Sequence, residues 1–173
     1  MTVSADWESF AVMTGGASAA LTGLLFVAVS VNAGRIARHP GLRAGAAQTL
    51  VLFIAPLLMA TVLLVPGQPD RVLGAELIAM GIGASLSLLA IGRNKRESPV
   101  DDGRLADIFD RRDTNVVVML LFVACGALLA FGDDAGLYLL LPASAVAFVS
   151  GVLNAWRFLL PPTDAHPQRG PER

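Results

Sequence analysis

The chain has 173 residues, of which 54% are hydrophobic and only 16% are charged, and its mean hydropathy is +0.63. A soluble domain is usually about a quarter charged, so this composition excludes an ordinary soluble domain. The formal net charge of -1 offers no basic surface of the kind that binds nucleic acid, so we expect no nucleic-acid partner.

Five apolar runs predict transmembrane helices, because at about 1.5 Å per residue each reaches or nearly reaches the roughly 30 Å of bilayer hydrocarbon. The runs cover residues 10–33, 46–65, 72–92, 114–131 and 136–160. The predicted fold is therefore all-α, a polytopic bundle of five transmembrane helices that forms a single domain over residues 1–160. The polar, Pro-rich residues 161–173 are predicted to be a disordered cytoplasmic tail.

The Lys and Arg residues predict how the chain is oriented in the membrane. Twelve of the thirteen lie in segments that the five helices place on one side, and only Arg71 lies on the other. Basic residues in short loops stay in the cytoplasm, so the pattern predicts a multi-pass cell-membrane protein with its N-terminus outside and its C-terminus inside. Trp7, Phe10 and Tyr138 then lie at the predicted outer ends, a depth that aromatic rings prefer.

The connections between the helices carry two further predictions. The outer ones, at 66–71 and 132–135, are short and rich in Pro, Gly or Asp, so helices 2–3 and 4–5 should form antiparallel hairpins. In the long third loop Leu105, Ile108 and Phe109 recur at helical spacing among charges, which predicts a short amphipathic helix on the inner membrane surface.

Small residues at four-residue spacing allow helices to approach closely in lipid. The first, third and fifth runs each carry such a stripe: Gly15, Ala19 and Gly23; Ala75, Ala79, Gly83 and Ser87; Ala143, Ala147, Gly151 and Ala155. We expect these stripes to make close contacts within one chain or between subunits, so that Gly23→Leu or Gly151→Leu disrupts assembly. Pro56 and Pro142 should each bend their helix.

Glu76 is the main candidate for intramembrane chemistry, because it lies about four residues inside the third run, where a charged carboxylate is costly. Its depth predicts an outer polar layer shared with Thr14, Thr61 and Ser144. Two interpretations are open: a protonatable or cation-binding acid repeated around an oligomer, or an interfacial Glu that reaches the surface or pairs with Arg71.

Asn32 and Asn154 form a second candidate pair, toward the cytoplasmic ends of parallel helices. Gln48, Thr49 and Asn115 fall at nearby depth. These side chains predict either a polar cluster that holds the helices together or a site for a substrate or ion. No residue set has the spacing of a metal centre, a nucleotide loop or a catalytic triad, so we expect no catalytic, cofactor or metal site.

Three strings resemble a family of small actinobacterial integral membrane proteins: Asp6-Trp7-Glu8, residues 16–32 (GASAALTGLLFVAVSVN) and residues 63–68 (LLVPGQ). The resemblance covers the first three helices. Some members of that family carry a label as modulators of the FtsH membrane protease, which implies an interaction role for similar chains and transfers no catalytic residue.

The sequence thus predicts a non-enzymatic membrane protein that acts through helix–helix contacts, as an accessory or modulator of another membrane complex. Its expected partners are the lipid bilayer and either a second copy of the chain or another membrane protein. The alternative is an oligomeric channel or small transporter that uses Glu76 and the intramembrane Asn residues. Five helices without inverted repeats are few for a monomeric transporter, so this alternative requires an oligomer.

Overall fold

The fold was obtained as a computed structural model, which describes residues 7–93 and 111–156, with side chains for 7–90 and 115–156. Within these ranges the regular structure is entirely helical. The elements, in chain order, are α1 (Glu8–Val31), α2 (Ala33–Arg38), α3 (Pro40–Leu63), α4 (Asp70–Arg93), α5 (Arg111–Ala130), a 3-10 helix (Asp134–Leu139) and α6 (Leu140–Trp156).

Four of the described helical segments are long and apolar enough to cross a membrane: Glu8–Val31, Pro40–Leu63, Asp70–Ala90 and Asp134–Trp156. The apolar part of α5, Asn115–Ala130, is shorter. The structure thus shows the all-helical class and four helices of membrane-spanning length. The predicted interfacial helix around residues 105–109 and the predicted tail after residue 160 lie outside the described residues.

The second predicted helix is longer than its apolar run. It was expected to begin at residue 46, whereas α3 begins at Pro40 and follows the short helix α2 directly. Pro40 occupies the first helical turn, where proline's missing N–H is not needed and its fixed φ suits the helix. The prediction from hydropathy missed this extension, because Arg43 interrupts the hydrophobic pattern without interrupting the backbone hydrogen bonds.

The last helix was predicted to begin at residue 136, whereas α6 begins at Leu140. The α5 helix ends in a Schellman motif, in which the Gly132 N–H donates to Leu129 O and the Asp133 N–H to Leu128 O. Gly132 has a φ of 86°, a conformation that glycine adopts without strain. A 3-10 helix then precedes α6. Pro142 is the third residue of α6, where N–H groups lack helical acceptors, so it removes no α-helical hydrogen bond there.

The helices pack mainly between sequence neighbours. The most extensive contact joins α4 to α5, followed by α1 with α3, and then by α3 with both α6 and α4 and by α5 with α6. The two helices of each predicted hairpin, α3 with α4 and α5 with α6, therefore contact each other. At the α4–α5 contact a Cβ placed on Gly126 would lie 2.5 Å from Gly74 O, so the two backbones touch.

The bundle has an apolar core and an apolar surface. Its largest fully buried side chains include Phe53, Phe122 and Met59. Large hydrophobic side chains are also exposed along α1, where Leu24 is 66% and Val27 is 61% exposed. A surface of this kind is unstable in water and suits hydrocarbon.

A hydrogen bond between helices lies beside Pro56 in α3. Pro56 has no N–H, so the Leu52 carbonyl loses its usual helical donor. One residue further along, the Phe53 carbonyl accepts a hydrogen bond from the buried Ser18 hydroxyl of α1. Ser and Thr side chains are one means by which membrane helices satisfy backbone groups near a proline. Here the Ser18 bond ties α1 to α3 beside Pro56.

The closest backbone contact gives a direct test. In Gly126→Ala the new methyl group would meet the Gly74 carbonyl, so α4 and α5 must separate. We expect a cost of about 1–3 kcal/mol, the usual range for overpacking, measured as a lower unfolding temperature in detergent. Gly16→Ala is the matched control, because a Cβ there meets nothing within 4 Å. Equal unfolding temperatures for both variants would contradict the contact.

Candidate intramembrane polar site

Glu76 is half-buried in α4, and its partner is Gln68. Gln68 lies in the turn that joins α3 to α4, and its side-chain amide donates a hydrogen bond to the Glu76 carboxylate. Gly67, with a φ of 68°, lets the chain turn back so that the Gln68 side chain is directed inward and is only 8% exposed. The interfacial interpretation had proposed Arg71 as the partner, and the structure assigns Gln68 to that role instead.

The sequence reasoning missed Gln68 as a site residue. The available signal was an amide eight residues before the acid, directly after the Pro66-Gly67 pair. Its Nε2 is bonded, whereas its buried Oε1 has no hydrogen-bond partner among the described residues. Such an oxygen has the capacity to accept one more hydrogen bond.

Among the described residues, no hydrogen bond joins Glu76 to the other three residues of the predicted outer layer. A Cβ on Gly15 would lie 3.0 Å from the Ala60 Cβ, which places Thr14 and Thr61 at one level along α1 and α3. Thr14 is buried, but Thr61 is exposed and its hydroxyl donates to Leu57 O of its own helix at 2.8 Å. Ser144 is buried in α6 with its Oγ unpartnered within the described ranges.

The two asparagines of the inner pair have different environments. Asn32 lies at the junction of α1 and α2, half-buried, and its Nδ2 donates to Ala28 O at 3.0 Å. Asn154 is 8% exposed and lies on the same face of α6 as Gly151, one turn further on. The Phe53 ring lies against Gly151, which sets the level of α6 relative to α3. Asn154, one turn beyond Gly151, is therefore near the level of Gln48 and Thr49, one turn before Phe53 in α3.

Buried carboxamides come from three helices at this end of the bundle. Gln48 precedes the core residue Leu52 by one turn of α3, and Asn115 precedes the core residue Met119 by one turn of α5. Gln48 Oε1 and Asn115 Oδ1 are both buried without a hydrogen-bond partner among the described residues. These two oxygens are able to accept hydrogen bonds from a polar guest. We term Gln48, Asn115 and Asn154, which lie toward the same end of the bundle, the carboxamide layer.

The packing stripes separate into inward-facing and outward-facing groups. On α6, Ala147 and Gly151 are buried, and Gly151 lies directly against Phe53. Gly15 on α1 contacts Ala60, whereas Ala19 is exposed and Gly23 has open space around it. The whole α4 stripe faces outward, since each of its four members is exposed: Ala75, Ala79, Gly83 and Ser87.

The close α4–α5 contact is made by a different set of small residues. Gly74 and Gly81 of α4 lie against α5, one or two positions away from the predicted stripe. The aromatic residues of the predicted outer ends do meet: the Trp7 ring is 5.2 Å from Tyr138 and 5.5 Å from Phe10, both edge-on. The beginnings of α1 and of the α6 segment therefore lie at the same end of the bundle.

The chemistry that these groups support is hydrogen bonding and proton or cation binding. Among the described residues no three His, Cys, Asp or Glu side chains are grouped to hold a metal ion. Cys125 is buried in the core cluster with a free thiol. In comparisons with known proteins, no family model, no curated protein and no solved structure matches the chain. The fold defines a class, a helical protein with four apolar helices of membrane-spanning length.

The contribution of the Gln68–Glu76 hydrogen bond to stability can be tested by substitution. In Gln68→Leu the carboxylate loses its donor, and a hydrogen bond to a charged group is worth about 1.5–3 kcal/mol. We therefore expect a lower unfolding temperature in detergent. Glu76→Gln keeps a carbonyl acceptor and should lose less. Thr61→Val is the control, because the Thr61 hydroxyl bonds only within α3. A Gln68→Leu variant as stable as Thr61→Val would show that the bond contributes nothing.

Proposed function

We propose that this protein is a non-enzymatic integral membrane protein that acts through helix–helix contacts, as an accessory or modulator of another membrane complex. The observation that carries the proposal is the outward-facing stripe of α4. Ala75, Ala79 and Gly83 repeat at four-residue spacing on a face that no part of the described chain covers. Small residues on a lipid-facing surface let a partner helix approach to backbone distance, which is how membrane helices associate.

The proposal includes five membrane spans, with the N-terminus outside and the C-terminus in the cytoplasm. The α5 helix has 20 residues, or about 30 Å, and lies in backbone contact with the membrane-length helix α4. A helix held along a spanning helix occupies the same depth of the membrane, which supports a fifth span. The alternation of basic loops supports the orientation.

The resemblance to the actinobacterial family fits the same role. Its members labelled as FtsH modulators would act on a membrane-embedded partner, and an exposed helix face is the surface such a role requires. The partner class proposed here is another membrane protein or a second copy of this chain.

Crosslinking and co-purification from the native membrane test this function. We expect Ala79→Leu to lose the crosslinked partner, because Ala79 lies on the exposed stripe and a larger side chain keeps a partner helix away. Its unfolding temperature should not change, since the Ala79 side chain is exposed in the described chain. Ala124→Leu, on the exposed face of α5, is the matched control and should keep the partner. Retention of the same partner by Ala79→Leu would refute the proposal.

A second candidate function, an oligomeric channel or small transporter, is favoured by the carboxamide layer. Its unpartnered oxygens on Gln48 and Asn115 lie inside the bundle, where a path for a polar solute would need them. Flux into proteoliposomes under ion or pH gradients tests it. The transporter hypothesis predicts flux that falls in Asn115→Leu and in Glu76→Gln. Absence of flux under every gradient would leave the helix-contact function alone.

A further inference from the structure

An apolar groove of about 310 Å³ runs between α3 and α4 at the middle of both helices. Phe122 of α5 closes one part of it. Leu58 and Gly83 are exposed, so the groove opens onto the surface that faces lipid. The lining includes Leu50, Ile54 and Leu58 of α3 and Met80, Gly83 and Ser87 of α4.

The lining sets the chemistry of the occupant. The hydroxyl of Ser87 is the groove's one side-chain polar group, and it donates to Gly83 O of its own helix at 2.9 Å. No hydrogen-bonding group is therefore directed at an occupant. The groove follows α3 from Leu50 to Leu58, a length of about 12 Å at 1.5 Å per residue. An elongated hydrocarbon satisfies this shape and chemistry.

A cation lies in line with the groove. Arg43 precedes Leu50 by seven residues and Ile54 by eleven, so all three lie on one face of α3. Arg43 is exposed and forms no ion pair within residues 7–90 and 115–156. From Arg43 to Ile54 the helix rises about 16 Å, close to half of the roughly 30 Å hydrocarbon thickness. That is the distance from a lipid head group to the bilayer midplane.

We infer that this surface is a binding site for one anionic phospholipid. One acyl chain occupies the groove between α3 and α4, and the phosphate pairs with the Arg43 guanidinium. Charge complementarity selects the head group, because a basic side chain beside a groove between membrane helices favours anionic lipids over zwitterionic ones. The guanidinium also forms paired hydrogen bonds with phosphate oxygens.

Among the residues that the structure describes, the opposite end of the bundle has no equivalent arrangement. Arg71, the basic residue at the start of α4, precedes Met80 by nine residues, which is two and a half helical turns. It therefore lies on the face of α4 opposite to the groove. The site is specific to the leaflet at the Arg43 end.

Native mass spectrometry of the full chain in detergent tests the site, with phosphatidylglycerol and phosphatidylcholine of identical acyl chains as the probes. We expect the wild type to retain one phosphatidylglycerol in preference to phosphatidylcholine. Arg43→Gln should reduce phosphatidylglycerol retention about fivefold, to the level of phosphatidylcholine, and Arg43→Lys should restore part of it. Gly83→Leu should reduce retention of both lipids, because its side chain enters the groove from a position with no atom within 4 Å.

Arg71→Gln is the matched control and should bind both lipids as the wild type does. Arg43 and Gly83 are exposed, so neither change is expected to unfold the bundle, and the helical circular dichroism of each variant checks this. Equal binding of the two lipids by the wild type would overturn the inference. Unchanged binding by Arg43→Gln or by Gly83→Leu would also overturn it. An equal loss of phosphatidylglycerol in Arg71→Gln would do the same, because it would show a general attraction of anionic lipid to basic helix ends.

Discussion

The contact between the backbones of α4 and α5 at Gly74 and Gly126 is the constraint on which the bundle depends. Lipid tails are as apolar as the side chains, so the hydrophobic effect gives little reason for two helices to associate inside a membrane. Close packing supplies the attraction, and it requires positions without side chains. The α4–α5 pair is the most extensive contact of the described chain; α3 packs against α4 and α6 against α5, whereas α1 packs mainly against α3.

As a result, the two faces of α4 have different roles. The face with Gly74 and Gly81 is used within the chain, which leaves the face with Ala79 and Gly83 uncovered. The groove beside Gly83 exists because that glycine, facing outward, adds no side chain to fill it. The proposed partner surface and the proposed lipid site thus share one origin and overlap at Gly83 and Ser87. The lipid site lies between α3 and α4, whereas the stripe continues beyond it to Ala75.

The class of fold could be predicted from the sequence, because this class depends on the length and the hydropathy of each apolar run. Both quantities are summed over many residues. Sequence reasoning also predicted that the small-residue stripe of α4 makes contacts within one chain or between subunits, and the described chain leaves this stripe exposed. Small residues occur on two faces of α4, and periodicity does not say which face is covered. Glu76 was recognised by its charge, but its partner Gln68 was not. Whether a side chain in a turn is directed inward depends on backbone dihedrals such as that of Gly67, which residue types alone do not determine.

The link between Ser18 and α3 has a consequence for how this protein tolerates sequence change. Its acceptor is a main-chain oxygen, so the tether does not depend on which side chain occupies position 53. Substitutions at that position alter the fit against Gly151 while leaving the tether to α1 in place. Among homologous chains, the hydroxyl at position 18 should accordingly vary less than the residue whose carbonyl it contacts.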